Sequence, residues 1–96
     1  MSTEENIYRM QVPEIGSFQD IAQNLQTGES VGVELSKQNG QKTNAKITIN
    51  TLEREDGSGN IWVVGGTVTN SATTTPINCV MLVNFRDPSK NWLKVT

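Results

Sequence analysis

The chain has 96 residues, a formal net charge of −2, one cysteine and no histidine. That length fits one domain, residues 1–96, with a single small core. One cysteine excludes an internal disulfide, and the lack of histidine removes the commonest general base and the commonest transition-metal ligand.

Hydrophobic residues make up 34% of the chain and charged residues only 19%, so its polarity comes from Asn, Gln, Ser and Thr. Low charge combined with clear apolar alternation argues for a folded chain rather than a disordered one. A sequence pI near 5.0 is unlike that of a dedicated nucleic-acid binder. The charge is unevenly spread. Residues 1–40 carry two bases against six acids, net −4, and residues 41–96 carry six bases against four acids, net +2. The simpler reading is two surface regions of different charge, and the other is a field that orients a partner.

Residues 1–6 are polar and acidic and read as a flexible start. With no signal-like segment and no apolar run near about 18 residues, the sequence reads as cytoplasmic, with no membrane contact. Tyr8, Met10 and Val12 alternate with Arg9 and Gln11, a short strand candidate ended by Pro13. Residues 17–27 carry the helix signal. Ser17 can cap the first turn, Phe18, Ile21, Ala22 and Leu25 share one face, and Gly28 can stop it.

The period then changes to two. Val31, Val33 and Leu35 form one strand face, and Asn39-Gly40 predicts a two-residue type I′ turn. Ala45, Ile47 and Ile49 form the next face, and a phase slip before Leu52 predicts a bulge near Asn50–Thr51. A turn follows at Glu55–Gly59. Ile61–Thr69 is apolar on both faces near its start, as a central strand would be, and Gly65-Gly66 inside it reads as a sharp barrel corner rather than a ligand approach. Ile77, Cys79, Met81, Val83 and Phe85 give the longest alternation. Asp87–Asn91 turns the chain into a short last strand, Trp92–Val95.

The expected fold is therefore α+β and β-rich, with one short N-terminal helix and about five antiparallel strands in a small curved sheet or barrel. The element order is similar to that of small SH3-like or Sm-like barrels, an analogy that transfers no function. An open sheet crossed by the helix is the alternative.

Catalytic patterns are missing. Cys79 lies on an apolar face and reads as a buried, inert core residue. Asp56-Gly57-Ser58-Gly59 lacks the strand-to-helix setting of a nucleophile elbow. Glu53, Glu55 and Asp56 could pair for acid–base work or hold calcium, but Arg54 lies among them and a Gly-rich turn follows, where charges solvate a loop. No enzymatic activity, cofactor or metal is expected. The binding candidates are the aromatic and basic residues Trp92, Lys90, Lys94, Arg86, Trp62 and Arg54. Tryptophan and arginine are enriched at protein hot spots, and aromatics among cations can also stack bases. The leading expectation is a protein-binding module, a regulator or inhibitor of a larger protein such as phage and accessory proteins supply. A single-stranded nucleic-acid binder ranks second. A homo-oligomeric structural subunit, assembled through Val80, Leu82 and an open edge strand, ranks third.

Overall fold

The computed structural model describes residues 7–12, 16, 18, 20, 29–37, 39–70 and 75–96. They form six strands: β1 (Ile7–Gln11), β2 (Ser30–Ser36), β3 (Lys42–Glu55), β4 (Ile61–Asn70), β5 (Ile77–Asn84) and β6 (Trp92–Val95). A 3-10 turn, Pro88–Lys90, precedes β6. Every strand pairs antiparallel with its sequence neighbours, and β1 pairs with β6, so the sheet closes into a barrel. Closure satisfies the strand edges that an open sheet would expose.

Two expectations change here. The strand count is six rather than about five, because Ile7–Gln11 is a full stave of the barrel, held by β2 on one side and β6 on the other. The helix expected over 17–27 is not seen as an element: Phe18 and Asp20 are helical, and the rest of that segment lies outside the described residues, as do residues 1–6. Closure also replaces the open sheet, and with it the open edge strand invoked for self-assembly, since each described strand has two hydrogen-bonded neighbours.

Alternation decides which side chains enter the barrel. Met10, Val31, Val33, Leu35, Ala45, Ile47, Ile49, Trp62, Val64, Val68, Cys79, Met81, Val83 and Leu93 all point inward and are buried. Strand β4 is paired along its length with both β3 and β5, the central position that its two-sided apolar start implies. The β3–β4 register shifts between Ile49 and Thr51, where the sequence places a bulge, and again between Leu52 and Arg54. The outer flank of Gly65 is covered by the Thr51 hydroxyl and the Glu53 carboxylate, which hydrogen-bond each other at 3.1 Å.

The two ends of the barrel differ. At the first, Phe18 is fully buried and meets Phe85 edge-on, with ring centroids 6.2 Å apart. Phe85 N–H donates to Asn60 O at 2.8 Å, which ties this end to the β3–β4 loop. Asn91, the buried polar residue of the described core, accepts from Asn84 N–H at 2.6 Å through Oδ1 and from Met10 N–H at 3.2 Å through its carbonyl. These bonds join β5, β1 and the entry to β6. The second end carries the β2–β3 turn. Its hydrogen bond from Gly40 N–H to Lys37 O, with Gly40 at φ 88°, puts the glycine at the fourth position of the turn. The loop is thus longer than the expected two-residue I′ turn, and Asn39 serves it by accepting from Gln41 N–H at 2.9 Å.

Candidate functional site

The register places one row of side chains across the outside of the barrel. Arg54 lies opposite Val63, Val63 opposite Leu82, Leu82 opposite Trp92 and Trp92 opposite Arg9. Directly opposed residues share a face, with Cβ atoms about 4.5–5.5 Å apart. Counted along the sheet, these five residues on five strands span about 19 Å at a strand spacing of about 4.8 Å, a row that winds around most of the six-stranded barrel. Val63, Leu82 and Trp92 are half-buried, and both terminal arginines are exposed.

The adjoining row strengthens the pattern. Gly65 lies opposite Val80, Val80 opposite Lys94 and Lys94 opposite Ile7. Ile7 is 39% exposed, which makes it one of the most exposed large apolar side chains described. The outcome is an apolar patch of Ile7, Val80, Leu82 and Trp92 with Arg9 and Lys94 beside it, while Val63 and Arg54 continue the row around the barrel. Glu34 lies diagonally from Arg9 across the β1–β2 pair.

The six candidates of the sequence analysis separate into groups. Trp92 and Lys94 lie on the same outer face of β6, whereas Arg54 ends the row on β3, three strands away around the barrel. Arg86 and Lys90 are exposed at the β5–β6 connection, where Arg86 N–H donates to Asn84 Oδ1 at 3.0 Å and Lys90 Nζ lies 3.9 Å from Asp87. Trp62 points the other way, into the core. It is 5% exposed, and its Nε1 donates to Gly59 O at 3.0 Å. The indole thus closes the barrel beneath the β3–β4 loop and shares no surface with Trp92. Arg9 and Val63 went unnoticed in the sequence. Arg9 reaches Trp92 only through barrel closure, which no local pattern encodes.

The acidic cluster resolves into separate structural duties. Glu55 Oε1 accepts from Gly57 N–H at 2.9 Å and from Gly59 N–H at 2.7 Å, fixing a loop in which both glycines have positive φ. Asp56 accepts from the Ser58 hydroxyl at 2.6 Å and from Ser58 N–H at 2.8 Å. Those donors, the hydroxyl first, hold the Asp56 carboxyl below its ordinary range. Among the described residues no group of three or more His, Cys, Asp or Glu side chains is placed to hold a metal. No described helix is long and apolar enough to cross a membrane.

Cys79 is 3% exposed, and burial pushes its thiol up to about 11. Because only the thiolate is the nucleophile, the native thiol is expected to react with iodoacetamide at pH 8 at least about 100-fold more slowly than in the denatured chain. Mass-spectrometric labelling kinetics check this, and a native rate within tenfold of the denatured one would place the sulfur at the surface.

No protein-family model, curated protein or solved structure matches the chain. The likeness to SH3-like and Sm-like barrels accordingly rests on element order alone, and any functional reading rests on the surface itself.

Proposed function

We propose that this protein is a non-catalytic binding module. Its outer face of Ile7, Val80, Leu82 and Trp92, flanked by Arg9 and Lys94, docks a partner protein that carries an apolar segment flanked by carboxylates. The cross-strand row that sets Trp92 between Leu82 and Arg9 supports this reading most directly. A tryptophan within an apolar patch, with cations at its rim, has the composition of an interface centre. Rim charges of one sign steer an oppositely charged partner and suppress others. A regulator or inhibitor works in this way, by occupying a surface of a larger protein.

The test compares three forms of the protein as bait in nuclease-treated lysate of the source cells: wild type, Trp92→Ala and Arg9→Glu/Lys94→Glu. Circular dichroism shows that each remains folded. The discrete proteins retained by wild type are expected to fall at least about 30-fold in affinity with Trp92→Ala, a loss of about 2 kcal/mol typical of a hot spot. The double charge reversal is expected to slow association and flatten its salt dependence. Equal retention by all three forms rules this face out.

The same face supports a second reading, because Trp92 beside Arg9 and Lys94 could stack a base and hold its phosphates. Bands that disappear on nuclease treatment, with binding that weakens steeply as salt rises, would select single-stranded nucleic acid instead.

A further inference from the structure

We propose that the second end of the barrel is a binding site for a small amphipathic anion, an aliphatic or aromatic monocarboxylate, separate from the outer face.

Leu35, Val68, Leu93 and Val95 occupy inward-facing positions at this end, and the cavity they line has a volume of about 370 Å³. Tyr8 and Ile77, also on inward-facing positions, complete its apolar wall. Leu93 is fully buried and forms the floor, whereas Ile77 at the lip is 36% exposed. An apolar wall that passes from buried to exposed is one that a hydrocarbon guest would cover. The volume falls in the range of about 300–1,000 Å³ usual for small-molecule sites, which favour the mouths of β-barrels. At the opposite end, among the described residues, Phe18 and Phe85 pack edge-on.

Charge selects the head group. Lys37 and Lys42 stand on the rim, and among the described residues no Asp or Glu lines the cavity. Gln41, Thr43, Thr69 and Asn70 add polar atoms around the same rim. The nearest ion pair, Lys42 Nζ to Glu34 at 4.0 Å, lies between exposed side chains. Such a pair is worth little and leaves the lysine free to reorient. A guest with an apolar body and one carboxylate therefore matches the wall and the rim together, whereas a cationic amphiphile meets like charge.

Decanoate and decyltrimethylammonium, each titrated below micelle formation into uniformly ¹⁵N-labelled full-length protein, test this by amide chemical shifts. Decanoate is expected to saturate, to shift Leu35, Val68 and Leu93, and to bind at least about tenfold tighter than the cation. Lys37→Glu/Lys42→Glu, a change confined to exposed side chains, is expected to weaken decanoate at least about tenfold and to leave capture by the outer face unchanged. Val95→Trp, which fills the mouth, is expected to abolish the shifts at Leu35 and Val68. Non-saturating shifts, equal affinity for the two amphiphiles, or shifts centred on Val63, Leu82 and Trp92 would each overturn the proposal.

Discussion

Gly66→Ala is expected to destabilise the protein by about 3 kcal/mol or more, whereas Gly65→Ala, one residue earlier, costs about 1 kcal/mol. The contrast comes from what each new methyl would meet. At Gly66 a Cβ would collide with the Thr48 carbonyl oxygen, with the carbonyl carbon at 3.0 Å and Met81 Cε at 3.2 Å. The obstruction is backbone, and that backbone is paired on both sides, with Thr48 opposite Ser30 of β2 and Thr67 of β4. Relieving the clash means displacing a stave of a closed barrel next to its bulge, so the cost spreads through the ladder. At Gly65 the obstacles are the Thr51 hydroxyl at 2.7 Å and Glu53 Oε1 at 2.8 Å. Both belong to exposed side chains that can rotate away for the loss of one surface hydrogen bond. Thermal unfolding separates the two cases. At about 4–8 °C per kcal/mol for a domain of this size, Gly66→Ala is expected to lower Tm by at least about 12 °C. Equal shifts for the two variants would show that β3 does not cross Gly66 as closely as it does here.

That pair of glycines also shows how far the sequence could be read. Gly-Gly inside an apolar strand signals a bend, and the structure supplies the reason, an approach of β3 over β4 that leaves no room for a side chain. The bulge at Asn50 was legible for a similar reason, because a one-residue slip exchanges the faces of every residue beyond it. Alternation likewise identified the inward residues of β2, β3 and β5. Pairs distant in sequence were not legible. The β1–β6 contact joins residues more than 80 positions apart, and it alone brings Arg9 to Trp92. The local pattern near the C-terminus, Arg86 and Lys90 around Trp92, pointed instead to side chains that lie in the β5–β6 connection. Trp62 misled for another reason. In a run apolar on both faces, period two cannot say which face is inside, and the indole's inward orientation goes with its hydrogen bond to Gly59 O. The cavity at the barrel mouth was equally hidden, since it depends on which end Phe18 occupies.

Replacing Phe18 by alanine is expected to be the most damaging truncation of a single side chain, at about 3–5 kcal/mol. Phe18 is the largest of the fully buried side chains described, so its removal forfeits the whole transfer free energy of a phenyl ring and leaves a void. Its edge-on contact with Phe85 at 6.2 Å and 66° adds an aromatic pair worth about 0.5–1.5 kcal/mol beyond burial. Phe85 is only half-buried, so Phe85→Ala is expected to cost less, about 2 kcal/mol, and the double variant to cost less than the sum by about 1 kcal/mol. Urea denaturation of the four proteins completes the cycle. A single-site loss below about 1.5 kcal/mol for Phe18→Ala would show that the ring does not close the barrel. The same variants bear on the opposite end. A barrel of this size has little room to fill, and its inward side chains have been divided unequally. Aromatic bulk plugs the end where the β3–β4 and β5–β6 loops meet, and smaller aliphatic side chains, Leu35, Val68 and Val95, line the other. Phe18→Ala opens the plugged end to about the volume of a phenyl ring, at the end that carries Arg86 and Lys90 of the β5–β6 connection rather than Lys37 and Lys42. Under conditions where that variant remains folded, its preference for decanoate over the cationic amphiphile is expected to persist, because the preference comes from Lys37 and Lys42 at the far end and not from apolar volume in general.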